Sequence, residues 1–148
     1  MLSKSQAKVF FLGGTVLFAS LFLGLSFDTV SNRVGEQTNE DQLTESAIAG
    51  RVIWDENNCM GCHTLLGEGA YYAPELTKVI ERRGAGYVKT VMMQPNSWAP
   101  NGRHMVAYNL SEEEANNMVD FLTWIGNMDL NGFPAKPKYE VKKNETED

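Results

Sequence analysis

Residues 59–63 read Cys59-Met60-Gly61-Cys62-His63, and residues 64–80 continue as TLLGEGAYYAPELTKVI. The first five decide the fold. Cys-x-x-Cys-His is the attachment signature of a c-type haem. Each thiol adds to one vinyl group of the porphyrin, and two intervening residues set the sulfurs at the vinyl spacing. The adjacent histidine then offers a ring nitrogen to the iron from one face. Covalent attachment holds the cofactor on a domain too small to grip it by apolar burial alone. Other readings of the pair fit less well. A thioredoxin-like Cys-x-x-Cys follows a strand, whereas here the preceding pattern is helical. Cys59 and Cys62 are the only two cysteines, too few for a disulfide framework, and with His63 and His104 they match no zinc-finger spacing.

The second axial ligand lies downstream, among Met92, Met93, His104, Met105, Met118 and Met128. Met118 falls on the apolar stripe of the last helix, and Met92 and Met93 fall in a helix, where methionine is ordinarily core packing. His104 and Met105 share a loop, and adjacent side chains in extended chain point opposite ways, so one of them faces the iron. Methionine opposite histidine is the electron-transfer pairing and raises the potential. Met105 is therefore the favoured ligand. Iron with both axial positions filled has no place for substrate, which points to electron transfer.

Upstream, residues 9–27 read VFFLGGTVLFASLFLGLSF without a charge. About 20 apolar residues span a bilayer core, and Asp28 ends the run. Lys4 and Lys8 precede it, so residues 1–8 are expected on the cytoplasmic side and the rest outside. The rival reading is a cleaved signal peptide, which has a shorter apolar core and a small-residue cleavage site. Gly24-Leu25-Ser26 is a poor one. Both readings export the domain.

The 148 residues suit one domain plus an anchor, and the formal net charge is −6. Residues 1–27 hold Lys4 and Lys8 and no acid, so all 19 acidic residues lie beyond the apolar run. An acidic exported part excludes nucleic acid as a partner and favours partners with a basic face.

Residues 28–43 are polar and read as a linker. Residues 44–130 read as an all-α haem domain. Thr44 is a candidate N-cap, with Ile48, Val52, Ile53 and Trp54 giving the helix an apolar side and Asn57-Asn58 ending it. Short helices are expected over 76–83 and 87–93. Residues 94–109 are rich in Pro, Asn and Gly and read as loop. The last helix opens on a capping box, Ser111 with Glu114. It carries Met118, Phe121, Leu122 and Ile125 at helical spacing. Residues 131–148 read as an extended tail.

Helix, haem motif, loop methionine and closing helix together resemble the class I cytochrome c fold, carried here on a single N-terminal transmembrane helix. In that fold a proline carbonyl orients the ligand histidine through its other ring nitrogen, and Pro74 is the matching residue. A closer resemblance lies in residues 62–76, CHTLLGEGAYYAPEL, with Arg82-Arg83-Gly84 and the Arg103-His104-Met105 stretch before a Ser-capped helix. These are similar to the small cytochrome c subunit of bacterial nitric oxide reductases, over nearly the whole chain. One departure is Val106, where many relatives have proline after the methionine.

That resemblance implies one covalent haem c, held by Cys59, Cys62, His63 and Met105. It implies a partner: a large multi-helix subunit with low-spin and high-spin haem b and a non-haem iron, where NO becomes N2O. Electrons would come from an exported cytochrome c or small copper protein. The haem domain would sit on the periplasmic side of the bacterial inner membrane. The resemblance further implies a calcium ion (Ca2+) at the subunit interface, with Gly69, through its carbonyl, and Tyr71 as ligands. From the residues alone, Gly67-Glu68-Gly69 reads as a turn and Tyr71-Tyr72 as aromatic packing over the haem edge. The competing functions are a free-standing membrane-anchored shuttle, a haem sensor, and the cytochrome c subunit of a haem-copper oxidase.

Overall fold

The structure is a computed structural model, and it describes residues 3–95 and 104–135. The chain divides into two compact units, Met1–Asp41 and Gln42–Asp148.

In the first unit, helix α1 runs Lys4–Asn32. Ser3 caps it in a reciprocal box with Gln6, which satisfies two of the donors that every helix start leaves over. No residue of α1 is buried. Its length and apolar composition are enough to cross a membrane. The polar stretch 28–43, expected as a linker, is largely helical. α1 continues five residues past the apolar run, with Asp28 accepting from Asn32 at 2.8 Å, and α2 follows at Val34–Thr38. Extending a formed helix adds a hydrogen bond per residue without a new nucleus, and the helix is interrupted only at Arg33. Asn39 ends α2 in the left-handed region, φ 49°, and a 3-10 turn covers Glu40–Gln42.

The second unit is built on two helices, α3 (Glu45–Glu56) and α6 (Glu112–Asn127), which form the most extensive pairing in the chain. Thr44 caps α3, accepting from Ala47 N at 3.1 Å. Ser111 and Glu114 close the expected box on α6, at 3.2 and 2.7 Å. The buried side of α3 keeps Trp54 and, in part, Ile53 from the expected apolar side, but not Ile48 or Val52. Ala47, Gly50 and Trp54 face inward, whereas Ile48 and Val52 are about half exposed, at 50% and 49%. Close approach decides the face. A Cβ built on Gly50 would lie 2.1 Å from the Asn117 carbonyl oxygen and 2.7 Å from Phe121 Cβ. Gly50 lets α6 come that near at the crossing, and Trp54, one turn further on, packs beside it against Phe121.

Two short helices, α4 (Val79–Arg83) and α5 (Ala85–Met93), flank this pair. α4 starts three residues later than the sequence suggests: residues 74–76 run past the site without regular structure, and a turn closed by Val79 N donating to Leu76 O at 3.1 Å precedes the helix. α5 starts two residues earlier, directly after Gly84 at φ 82°. The core joins Trp54, Leu65, Val88, Met92, Ala115, Met118, Phe121, Leu122, Ile125 and Met128. Burying such side chains contributes roughly 1.5–3 kcal/mol each. The only strands among the described residues, β1 (Thr64–Leu65) and β2 (Glu68–Gly69), form a two-residue antiparallel hairpin. Residues 96–103 of the loop and 136–148 of the tail lie outside the described residues.

Candidate haem site

Helix α3 stops at Asn57, and Asn58 turns the chain through the left-handed region, φ 49°. A 3-10 turn, Cys59–Gly61, follows at once. It places both thiols and His63 on one tight bend, with His63 N donating to Cys59 O at 2.9 Å. Both cysteines are free thiols, Cys59 buried and Cys62 half-buried. Burial, then the neighbouring charges of Cys62 and Asp55, pushes the Cys59 thiol up to about 11.

His63 Nδ1 lies 2.8 Å from the Pro74 carbonyl oxygen. A carbonyl can only accept, so the proton belongs on Nδ1 and the lone pair on Nε2. Nε2 is the nitrogen left to ligate a metal. Burial lowers the pKa of His63, against the Pro74 bond, which acts the other way. The ring is therefore kept in the neutral form that iron requires. Trp54 stands beside it, ring centroids 6.5 Å apart, and stacks on Phe121 at 6.0 Å. The Trp54 indole Nε1 is buried without a partner in the structure. Such a donor costs about 1–3 kcal/mol if left unpaired, which suits a pocket completed by a further group. Two free thiols, a neutral histidine with a fixed tautomer and this unpaired donor fit a covalent haem.

The segment opposite the motif is tied to it at several points. Ala73 N donates to Cys62 O, Leu76 N to Thr64 O and Ala70 N to Met60 O, each at 2.9 Å. Gly69 (φ 118°) runs so close that a Cβ there would lie 2.3 Å from the His63 carbonyl oxygen.

Among the ligand candidates, Met92, Met118 and Met128 are buried in the core, Met93 is exposed, and His104 is exposed. Met105 is half-buried and packs against the core cluster. Gly69 and Tyr71 are both on the surface, Tyr71 at 85% exposure. Among the described residues no cluster of three or more His, Cys, Asp or Glu could hold a metal ion. Tyr108 is the site residue that sequence reasoning missed. Burial raises its phenol pKa, and so, less strongly, do the charges of Cys59 and Cys62. Its only signal in the sequence is a position three residues after Met105.

Residues 47–126 match the family model described as Cytochrome c. Over 137 residues the chain is 41% identical to the nitric oxide reductase C-subunit of Stutzerimonas stutzeri, covering 89% of this chain and 93% of that protein. It is 38% identical to the protein of the same name from Halomonas halodenitrificans, covering 92% and 96%. The one from Paracoccus denitrificans is 35% identical, covering 90% and 95%. An all-α haem domain, the bend at residues 59–63 and similarity over nearly the full length agree: the chain belongs to the nitric oxide reductase C-subunit family, built on a cytochrome c domain.

Proposed function

We propose that this chain is the haem c electron-transfer subunit of a membrane-bound nitric oxide reductase. It accepts electrons from an exported cytochrome c or small copper protein. It passes them to the low-spin haem b of a multi-helix catalytic subunit. There two NO, two electrons and two protons give N2O and water. The observation that carries this reading is the bend at Cys59–His63 with the His63–Pro74 bond, set in a chain so similar to the small haem-bearing members of nitric oxide reductases.

Cys59 and Cys62 would hold one haem through thioether bonds, with His63 Nε2 and the Met105 sulfur as axial ligands. When bound, the haem supplies one-electron redox chemistry. The protein's part is to keep His63 neutral and fixed, and to shield the site with the α3–α6 core. The Met105 thioether would supply the second protein ligand to the iron, and the chain would then transfer electrons without binding substrate. α1 would anchor it in the bacterial inner membrane, with the haem domain on the periplasmic side. The exposed Gly69 and Tyr71 would share a calcium ion with the catalytic partner, which must contribute further ligands.

The test is purification of the tagged chain from membranes in mild detergent. The expected outcome is co-purification of a second subunit with b-type haem absorption, and NO consumption driven by a reduced donor. A preparation holding only haem c, inactive towards NO, would refute the reading in favour of a free-standing shuttle. O2 consumption without NO reduction would favour an oxidase.

A further inference from the structure

The Pro74 carbonyl that holds His63 belongs to a peptide plane shared with Glu75 N. What fixes Glu75 therefore fixes the acceptor. Glu75 is held from two directions. Its carboxylate Oε1 accepts from Thr77 N at 2.7 Å, and its Oε2 accepts from Arg82 Nη1 at 3.2 Å. The second guanidinium nitrogen of Arg82 donates to the Glu75 backbone carbonyl. Arg82 thus grips both ends of one residue with its fork, and it does so from α4. Thr77 is fully buried, and its hydroxyl accepts from Leu66 N at 2.7 Å, which ties the same strap to the hairpin after His63. Glu75 keeps only a quarter of its side-chain exposure, at 25%.

We infer that Glu75 and Arg82 are positioning residues for the haem ligand His63: the Arg82 fork holds Glu75, the residue directly after the Pro74 carbonyl, and so sets the strength of the His63 Nδ1–H bond. This rests on the proposed haem ligation by His63. A fixed acceptor draws the Nδ1 proton and makes the ring a stronger donor to iron. Stronger donation favours the oxidised metal and lowers the potential. A loosened clamp raises it. Loss of the Arg82 charge alone does the reverse, because a cation near the haem disfavours oxidation. The two effects have opposite signs, so they can be told apart. Lysine keeps the charge and loses the planar fork.

The experiment uses the haem-loaded full-length protein. It measures solvent exchange of the His63 Nδ1 proton by NMR in the reduced state, and the reduction potential. Arg82→Lys is expected to speed exchange about tenfold, equivalent to ~1.4 kcal/mol of easier opening, and to raise the potential. Glu75→Gln, which keeps an acceptor for Thr77 N, is expected to speed exchange likewise, and it carries the test if Arg82→Lys does not fold. Lys78→Gln removes a neighbouring charge that pairs with Glu81 at 3.7 Å. It is expected to lower the potential and leave exchange unchanged. Wild-type exchange in both clamp variants, or a lowered potential in Arg82→Lys, overturns the inference alone. A wild-type protein without covalent haem overturns it together with the proposed function.

Discussion

Replacing Gly50 by alanine tests the helix crossing that frames the site. In a helix interior, alanine is favoured over glycine by about 1 kcal/mol. Against this stands the contact with α6. The added Cβ would lie 2.1 Å from the Asn117 carbonyl oxygen, 2.6 Å from its carbon and 2.7 Å from Phe121 Cβ. Ordinary contact begins near 3.4 Å, so α3 and α6 must separate by roughly an ångström, and the nearest atoms are backbone and cannot rotate away. Overpacking of this kind costs typically about 1–3 kcal/mol and sometimes more. A backbone-against-Cβ clash belongs at the upper end, so the net loss is about 2 kcal/mol. For a domain of this size, that lowers the melting temperature by roughly 8–16 °C. Gly86 is the control. It lies in α5 with nothing within 4 Å of its would-be Cβ, so Gly86→Ala is expected to hold or raise stability by up to about 1 kcal/mol. Thermal unfolding of the haem-loaded variants, followed by circular dichroism, reads both. A Gly50→Ala protein as stable as Gly86→Ala would refute the close crossing.

Other perturbations probe the site and its frame. Met105→Ala is expected to abolish the near-infrared methionine–iron charge-transfer band of the oxidised protein, and an unchanged band would move ligation to another side chain. Ser111→Ala removes the acceptor for Glu114 N and is expected to cost about 1 kcal/mol in urea unfolding; no change would mean the capping box adds nothing. Hydrogen bonds from Ser111 hold the Glu114 carboxyl below its ordinary range, and Lys89 does the same for Glu112. Stability from both is present above the unfolded carboxylate pKa and fades as pH falls through the lowered values. Glu114→Gln should therefore flatten the loss of stability on acidification, and a slope identical to wild type would count against that pairing.

The terminal helices of the haem domain were legible because their starts are chemical. Thr44 and the Ser111–Glu114 box name their own helix N-termini, and Met118, Phe121, Leu122 and Ile125 recur at helical period. The bend at residues 59–63 was legible because a five-residue motif encodes it. The inward face of α3 was legible at Ile53 and Trp54 but not at Gly50. Hydrophobicity ranks Ile48 and Val52 above Gly50, yet Gly50 lies at the crossing because it has no side chain. Residues 28–38 read as linker from polarity alone, although Glu, Gln and Asn continue a helix once it has begun. The Glu75–Arg82 clamp spans seven positions and depends on the turn and helix between them, so no local pattern announces it.

The burial of Cys59 constrains the order of events in making this protein. In the folded domain Cys59 is 9% exposed, and burial pushes its thiol up to about 11. Burial disfavours the thiolate, and bond formation to a vinyl group draws on that thiolate. Its reach is also blocked, because the motif lies inside the long loop that α3 and α6 close on each other. The porphyrin must therefore be joined while the chain is still open, before the terminal helices meet. Folding then acts as a seal over a finished covalent product, and a chain that closes too early is lost to maturation.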